Sequence, residues 1–240
     1  MNILVTGGAG FVGTNLLREL SKNDKHKLYS IDNYSTGLKS NELRKVQYHN
    51  CDIRPYNKIN IQILLSKLKP DIIYHLAAVA RIQPSFENPI NYFTTNANGT
   101  LILADWCSKN NVPIIYAGSS SHHSGKLKNP YTFSKDIGEE ILQLFASHFN
   151  LKYSIARFYN VYGPNQLTEG GYTTLIGRWI SNLQKKLPCE IFGDGEQRRD
   201  FTHVSDIVDA LIRIMNQKAY SKDFELGRGK NYSVNEVAKM

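Results

Sequence analysis

A glycine-rich turn near the start of the chain, TGGAGFVG, constrains the fold more than any other feature of the sequence. The apolar run Ile3–Val5 precedes this turn and the amphipathic segment Phe11–Leu20 follows it, so the turn joins a strand to a helix. Gly7 and Gly10 allow a tight turn and close approach of the backbone to a pyrophosphate, and Gly13 lets the helix pack closely on the strand. This context favours dinucleotide binding over a purely structural turn.

Two acidic residues follow the next strands. Asp32 ends the second strand, where a carboxylate accepts hydrogen bonds from the adenosine ribose and repels a 2′-phosphate. The next residue is Asn33 rather than arginine, so the sequence favours NAD over NADP. Asp52 follows the third strand in the motif CDI. Its carboxylate can contact the adenine amino group or cap a helix, and the sequence leaves both interpretations open.

Apolar runs alternate with amphipathic segments along most of the chain. The strand candidates are Ile3–Val5, Leu28–Ile31, Val46–Tyr48, Ile72–Leu76, Pro113–Ala117 and Tyr153–Arg157. The helix candidates between them are Phe11–Leu20, Ile59–Leu68, Tyr92–Ser108 and Tyr131–Phe149. This alternation predicts an α/β fold, a Rossmann-type doubly wound parallel sheet with helices on both faces. Such sheets bind ligands beyond the carboxyl ends of their strands.

The pattern is less regular after Arg157. Further helices are predicted at Thr173–Lys185 and Val204–Met215, and further strands at Cys189–Phe192 and Phe224–Leu226. A last helix is predicted to begin after Ser233, because Glu236 three residues later completes a capping box.

Composition excludes several classes of protein. The net charge is +8, but the lysines are dispersed and no basic run alternates with aromatic residues, so we expect no nucleic-acid partner. No apolar run approaches the length of about 18 residues that a membrane span needs, and we expect neither a membrane span nor a signal peptide. The three scattered cysteines, Cys51, Cys107 and Cys189, indicate a reducing, cytoplasmic environment rather than a zinc site or a disulfide framework.

The stretch GSSSHHSGKLKNPYTFSK contains a candidate proton-transfer site. Tyr131 and Lys135 are four residues apart on a predicted helix and therefore share a face. To act as a base near pH 7, the phenol must lower its pKa by about 3 units. The positive charge of Lys135 at about 4 Å supplies an energy of that order, and the positive ring of NAD⁺ would add to it. Ser119 is the first choice to hold the reacting oxygen and Ser120 the second.

The two histidines of the same stretch, His122 and His123, are candidate metal ligands or bases. No third ligand has a supporting spacing, so surface positions in a polar turn are the favoured interpretation.

Taken together, the motifs resemble a known family. TGGAGFVG, Asp32, CDI, HLAA, NANGT, the serine run, YTFSK, RFYNVYGP and FGDGEQRRDFTHVSD occur in this order over nearly the whole chain. The chain resembles the extended short-chain dehydrogenase/reductase family, the NAD-dependent nucleotide-sugar epimerases and dehydratases.

This resemblance implies a set of ligand-binding residues. It places the following residues at NAD: Gly7, Gly10, Phe11, Val12, Gly13, Asp32, Asn33, Gly37, Asp52, Ile53, Leu76, Ala77, Ala78, Asn96, Tyr131 and Lys135. It makes Ser119, Tyr131 and Lys135 catalytic, and places Ser119, Ser120, Asn160 and Arg199 at a nucleotide-diphosphate sugar, with the Arg199 guanidinium on the diphosphate. It implies no metal.

The resemblance also implies an organisation. A NAD-binding domain spans residues 1–160, with residues 201–220 returning to it. Residues 161–200 and 221–240 form a substrate lobe, which we expect to be truncated because relatives continue beyond Met240. A homodimer is implied, formed through the helices Tyr92–Ser108 and Tyr131–Phe149.

The chemistry can be narrowed within the family. Its 4,6-dehydratases carry an Asp-Glu pair after the catalytic Ser or Thr, and its decarboxylases usually carry a Glu there. In this chain Ser120, Ser121 and His122 stand in that place. The resemblance therefore implies C4 epimerisation through a 4-keto sugar, as in UDP-glucose 4-epimerases. Another dehydratase or reductase, or a non-catalytic NAD(H)-binding protein, is the alternative, and the loop from Ser121 to Tyr131 is shorter than in relatives.

Overall fold

A seven-stranded parallel sheet forms the centre of the computed structural model, which describes residues 1–54 and 61–240. The described residues form the strands of this sheet and a separate pair of strands. In chain order they are β1 Asn2–Thr6, β2 Lys27–Asp32, β3 Val46–Asn50, β4 Ile72–His75, β5 Ile114–Ser119, β6 Tyr153–Phe158, β7 Arg198–Asp200, β8 Lys222–Leu226 and β9 Asn231–Ser233. The order in the sheet is β3-β2-β1-β4-β5-β6-β8, and β7 pairs with β9 in a separate antiparallel ladder.

Helices connect these strands. They are α1 Phe11–Leu20, α2 Ile61–Leu68, α3 Gln83–Glu87, α4 Pro89–Tyr92, α5 Gly99–Asn110, α6 Pro130–Phe149, α7 Leu175–Gln184, α8 Val204–Asn216 and α9 Val234–Ala238. A π-helical turn, Phe93–Asn98, joins α4 to α5, and a 3₁₀ turn, Ser120–Ser124, follows β5. In the described parts of the chain, no helix is both long enough and apolar enough to cross a bilayer.

The sheet is buried on both faces. Helices α2, α5 and α6 cover one face, where Leu103 and Leu142 are fully buried against β4 and β5. Helices α1 and α8 cover the other face with Leu16 and Leu211. Because both faces are covered, the strands are almost continuously apolar, as parallel strands between helices are. The predicted fold class is confirmed.

Most predicted elements are present, with small shifts of their ends. The helix predicted over Ile59–Leu68 is described from Ile61 onward, and residues 59 and 60 lie outside the described part of the chain. The helix predicted over Tyr92–Ser108 is interrupted by the π-helical turn, where Asn96 turns its amide onto the backbone of Val79. The capping box of Ser233 and Glu236 is confirmed.

One expectation about the C-terminal part was wrong. Residues Cys189–Phe192 form no strand, because no described strand lies beside them and their apolar side chains remain exposed. Strand β8 lies in the range expected for the substrate lobe, but it pairs with β6 at the edge of the main sheet. Backbone pairing therefore extends the sheet beyond the boundary that the sequence pattern indicates, and the division into two domains stays a prediction.

Candidate active site

A cavity of about 840 Å³ lies at the carboxyl edge of the sheet. It opens where the strand order reverses, since β1 lies between β2 and β4 and the chain crosses from one side of β1 to the other. In open α/β sheets this crevice is where ligands bind. One side is formed by the turn between β1 and α1, and the other by residues that follow β6.

The glycine-rich turn is shaped for close backbone approach. Gly7 has a φ of +74°, and a Cβ there would lie 2.9 Å from the backbone of Ala77. A Cβ on Gly13 would lie 2.2 Å from the carbonyl oxygen of Gly7, so the third glycine is needed for packing. Gly10 is the N-cap of α1 and supplies no capping side chain, which leaves the first N–H groups of this helix available to an anion.

Asp32 is held at the base of this turn. Its Oδ2 accepts a hydrogen bond from the backbone N–H of Ala9 at 2.9 Å, and its Oδ1 accepts one from that of Tyr34 at 2.8 Å. Burial raises the pKa of Asp32, and these two hydrogen bonds oppose that rise. Each oxygen keeps a second lone pair, so the carboxylate can still accept from two hydroxyl groups of a ribose.

Three of the predicted NAD residues lie behind the cavity wall. Gly37 packs against the Asp32 carboxylate, to which a Cβ would be 2.9 Å away. Asp52 binds the Arg54 guanidinium and accepts from the Asn33 amide at 2.9 Å, and these contacts lower its pKa although burial alone would raise it. Asn96 is buried against Val79 and the Ser134 hydroxyl.

The three predicted catalytic side chains meet in the cavity. Ser119 ends β5, lines the cavity together with Tyr131 and lowers the pKa of the Tyr131 phenol, while its Oγ lies 2.9 Å from that of Ser121. Asn129 caps α6 through a 2.8 Å bond from the Thr132 N–H, which fixes the helix start one residue before Tyr131. Lys135, one turn later, is 4% exposed and its Nζ lies 3.9 Å from the centre of the Tyr116 ring.

Burial acts on the pKa values of both titratable side chains of this group. Burial raises the pKa of Tyr131, while Ser119 and the charge of Arg81 oppose the rise. Burial lowers the pKa of Lys135 to about 7, against the opposing charges of Glu139 and Asp136. The Lys135 ammonium group lies over the Tyr116 ring, and the expectation that its charge lowers the tyrosine pKa stays a prediction.

An ion-pair network lies behind Lys135. The imidazole Nδ1 of His122 is 2.9 Å from Asp136 Oδ1 and 3.7 Å from Glu139 Oε2. Arg157 grips both oxygens of Glu139 through Nε and Nη2, and also contacts Asp223 and Glu225. The fold thus places His122 beside two acids, Asp136 and Glu139, that the sequence spacing did not indicate. The Glu139 carboxylate is already bound by the Arg157 guanidinium, so it is not a free metal ligand.

Two arginines line the far side of the cavity. Arg199 on β7 was predicted to contact the diphosphate, and Asn160 beside it donates to the Asp200 carbonyl at 2.9 Å. Arg81 was not predicted. It lies six residues beyond the end of β4, and its Nε and Nη2 both donate to the carbonyl of Tyr172, at 2.9 and 2.7 Å. An arginine just after the HLAA motif was the signal that could have revealed it.

The structure therefore brings most of the predicted site residues into one cavity. The predicted residues that line it are Gly7, Gly10, Phe11, Val12, Gly13, Asp32, Asn33, Ile53, Leu76, Ala77, Ala78, Ser119, Ser120, Tyr131, Lys135, Asn160 and Arg199. Their individual roles stay predictions.

Known proteins resemble this chain in sequence and in fold. Residues 3–227 match the model of the NAD dependent epimerase/dehydratase family. The chain belongs to this family. A putative UDP-glucose 4-epimerase of Methanocaldococcus jannaschii is 32% identical over 98% of this chain and 79% of that protein. The predicted family membership is confirmed.

Solved structures of the epimerase/dehydratase family agree in fold. The UDP-glucose 4-epimerase of Thermotoga maritima, solved with UDP-glucose, has a TM-score of 0.93 and 30% identity, covering 100% of this chain and 81% of that one. The UDP-glucuronic acid 4-epimerase of Bacillus cereus, solved with UDP-glucuronic acid and NAD, has a TM-score of 0.87 and 27% identity, with the same coverage.

NAD is the cofactor of this family, as the sequence predicted. The residues present fit it. The glycine cradle has no room for side chains at Gly7 and Gly13, the uncapped start of α1 faces the cavity, and Asp32 keeps free lone pairs for the ribose.

Proposed function

We propose that this chain epimerises a nucleotide-diphosphate sugar at C4. The observation that carries the proposal is the convergence of Ser119, Tyr131 and Lys135 in the cavity that the glycine-rich turn also lines. A protein that only bound NAD would have no need of a buried Ser-Tyr-Lys group beside its cofactor. The epimerases among its relatives support the same reaction.

Each catalytic side chain has a part that its position supports. The glycine-rich turn and Asp32 would hold NAD, which would supply a reversible acceptor for the hydride at C4 of the sugar. Tyr131 takes the proton of the 4-hydroxyl and gives it back, as a general base and then a general acid. Ser119, which lines the cavity together with the phenol, holds the reacting oxygen. Lys135 supplies the neighbouring positive charge and orients the nicotinamide ribose. Arg199 and Asn160 hold the diphosphate end.

The surroundings of Ser119 favour epimerisation over elimination of water. Ser120, Ser121 and His122 follow it, where a dehydratase would need an acid to protonate the leaving hydroxyl. The nearest acids in the described part of the chain, Asp136 and Glu139, are bound by His122 and Arg157. They are therefore not free to protonate a leaving group.

The test is conversion of UDP-sugars by the purified protein with NAD⁺, followed by NMR of the C4 proton. We expect wild type to interconvert at least one 4-epimeric pair among the glucose, N-acetylglucosamine and glucuronate series. Tyr131→Phe should lose about 100- to 10,000-fold in kcat, because this is the range that general acid–base catalysis contributes. It should bind NAD⁺ as wild type does. A dehydrated or decarboxylated product would refute epimerisation, and no conversion with any pair would favour the non-catalytic alternative.

We also propose a homodimer formed through α5 and α6. These helices pack side by side and leave apolar side chains outside, Leu101 at 42% and Leu144 at 53% exposure. A second copy would bury them. Light scattering after size exclusion should give twice the mass of 27.3 kDa for wild type, and a monomer for Leu144→Lys.

The cellular site and the domain division are further parts of this proposal. The described residues contain three cysteines and no disulfide, which supports a reducing cytoplasm. The contact of Arg81 with Tyr172 supports a substrate lobe, beginning after residue 160, that packs onto the NAD-binding domain.

A further inference from the structure

Arg81 is a cationic side chain in the cavity for which no function has yet been assigned. It is partly buried, and burial lowers its pKa, which shows that its charge is desolvated. Its charge in turn lowers the pKa of Tyr131, so the guanidinium lies near the base that acts on the sugar. Arg81 therefore belongs to the reacting end of the cavity.

In the described part of the chain, no carboxylate forms an ion pair with Arg81. In residues 1–54 and 61–240, the arginines that pair with carboxylates are Arg54, Arg157, Arg198 and Arg213. Among the groups that shift the pKa of Arg81 there is no carboxylate, and the charge of another cation, Arg199, lowers it. A desolvated cation without a counter-ion is costly, and in a cavity it favours an anionic group of the ligand.

The hydrogen-bonding geometry leaves one side of the guanidinium free. Nε and Nη2 donate to the Tyr172 carbonyl, which fixes the plane of the group. Arginine has five N–H donors, so the edge formed by Nη1 and Nη2 keeps three of them. A carboxylate can accept two parallel hydrogen bonds from such an edge.

The position of Arg81 selects which part of a sugar it meets. In a pyranose ring C4 lies opposite C1, which carries the diphosphate, and C5 with its C6 substituent adjoins C4. A group close to the base for the 4-hydroxyl therefore adjoins C6 rather than the diphosphate. The structure assigns Arg81 to a carboxylate at C6, which makes the preferred substrate a nucleotide-diphosphate hexuronate. This inference rests on the proposed C4 epimerisation and adds the class of sugar.

The test compares two probes with the same nucleotide, UDP-glucuronate and UDP-glucose. For wild type, we expect kcat/KM to be at least about 10-fold higher for UDP-glucuronate. In Arg81→Gln, kcat/KM for UDP-glucuronate should fall about 10- to 100-fold, the loss expected for a hydrogen bond to a charged group. The additional loss for UDP-glucuronate should be mainly in KM. Because Arg81 also lowers the pKa of Tyr131, both sugars should share a smaller and equal loss of kcat.

Two further variants separate charge from geometry. Arg81→Lys keeps the charge without the two-pronged edge and should retain part of the preference for UDP-glucuronate. Arg213→Gln removes an exposed arginine on α8 and should leave both substrates unchanged.

Other outcomes would overturn the assignment. Equal or better turnover of UDP-glucose by wild type would remove the hexuronate preference and leave the epimerase proposal intact. Equal losses for both sugars in Arg81→Gln, with a matching loss of UDP affinity, would make Arg81 a diphosphate or structural contact. Calorimetric binding of both sugars to NADH-loaded protein separates the two proposals. Tighter UDP-glucuronate binding that depends on Arg81, without conversion, would uphold the carboxylate contact and refute epimerisation.

Discussion

Tyr131 and Lys135 share a face of α6, but burial acts on them in opposite ways. It raises the pKa of the phenol and lowers that of the ammonium group to about 7, so burial favours the neutral form of both. Ser119 and Arg81 oppose the rise of the phenol pKa. Glu139 and Asp136, on the same helix, oppose the fall of the lysine pKa. For the phenol, the charge of Arg81 opposes the rise of the pKa, and the positive ring of a bound NAD⁺ would oppose it further.

The Lys135 pKa predicts how stability depends on pH. The unfolded lysine has a pKa of 10.5 and the folded one about 7, so between these values the unfolded chain binds the extra proton. The free energy of unfolding must therefore rise with pH over this range because of Lys135. In Lys135→Met the rise from pH 7 to 10 should be smaller by roughly 3 kcal/mol.

Urea denaturation at several pH values measures this difference. Lys109→Met, which removes an exposed lysine from α5, serves as the control and should follow the wild-type slope. Parallel slopes for wild type and Lys135→Met would contradict a lowered lysine pKa.

At the scale of elements, the segment between β5 and α6 is short but well anchored. Its 3₁₀ turn is tied to α6 by His122 and Asp136, and to β8 by His123 and Glu225 at 3.0 Å. Asp136 is 6% exposed, so its carboxylate depends on the histidine for a partner. Two imidazole contacts therefore fix this short loop in place. A longer loop could be ordered by packing on itself.

Removal of this anchor should destabilise the protein and loosen the turn. In His122→Ala the buried Asp136 carboxylate loses its side-chain partner, and the free energy of unfolding should fall by about 1 to 3 kcal/mol. Amide hydrogen exchange at residues 120–128 should become faster, while exchange in β6 stays slow.

Two variants test whether the loss of stability comes from the contact between His122 and Asp136. His122→Asn keeps a nitrogen near the position of Nδ1 and should recover part of the stability. His148→Ala, on the exposed end of α6, should change it by less than about 0.5 kcal/mol. An equal loss in both alanine variants would show that the Asp136 contact does not hold the turn.

These elements also show what a sequence can predict. The order of strands and helices follows from local periodicity, and the glycine turn, Asp32, Ser119 and the Tyr131–Lys135 pair are local patterns. The pairing of His122 with Asp136 is set by how β5 leads into α6, which no spacing encodes. Likewise, the strand expected at Cys189–Phe192 required a neighbouring strand, and the role of Arg81 required the contact with Tyr172, 91 residues away.

At the scale of the whole molecule, the cavity is assembled from distant parts of the chain. The turn after β1 supplies the cofactor side, and the residues after β6 supply the substrate side. Direct contacts join the two: Asn15 on α1 donates to the Pro164 carbonyl at 2.8 Å, and Arg81 reaches Tyr172. Ligands that fill the cavity should therefore stabilise the entire fold, since binding to the native state alone adds to the free energy of unfolding.

Asp32 makes this stabilisation specific for NAD. At a concentration of 100 times Kd, NAD⁺ should stabilise wild type by about 2.7 kcal/mol. NADP⁺ at the same concentration should have little effect, because its 2′-phosphate meets a carboxylate already held by the Ala9 and Tyr34 N–H groups. Asp32→Asn removes the charge with little change of shape. NAD⁺ should therefore stabilise this variant less than wild type, and the difference between the stabilisation by NAD⁺ and that by NADP⁺ should become smaller.

Thermal unfolding with and without each dinucleotide measures these shifts, each taken from the variant's own ligand-free midpoint. Asp24→Asn removes an exposed carboxylate at a distance from the cavity and should keep the wild-type preference. Equal stabilisation of wild type by NADP⁺ would place the adenosine ribose away from Asp32. Because these midpoints report unfolding of the whole molecule, stabilisation by NAD⁺ in the absence of any sugar would show that the cofactor side of the cavity is assembled before the sugar binds.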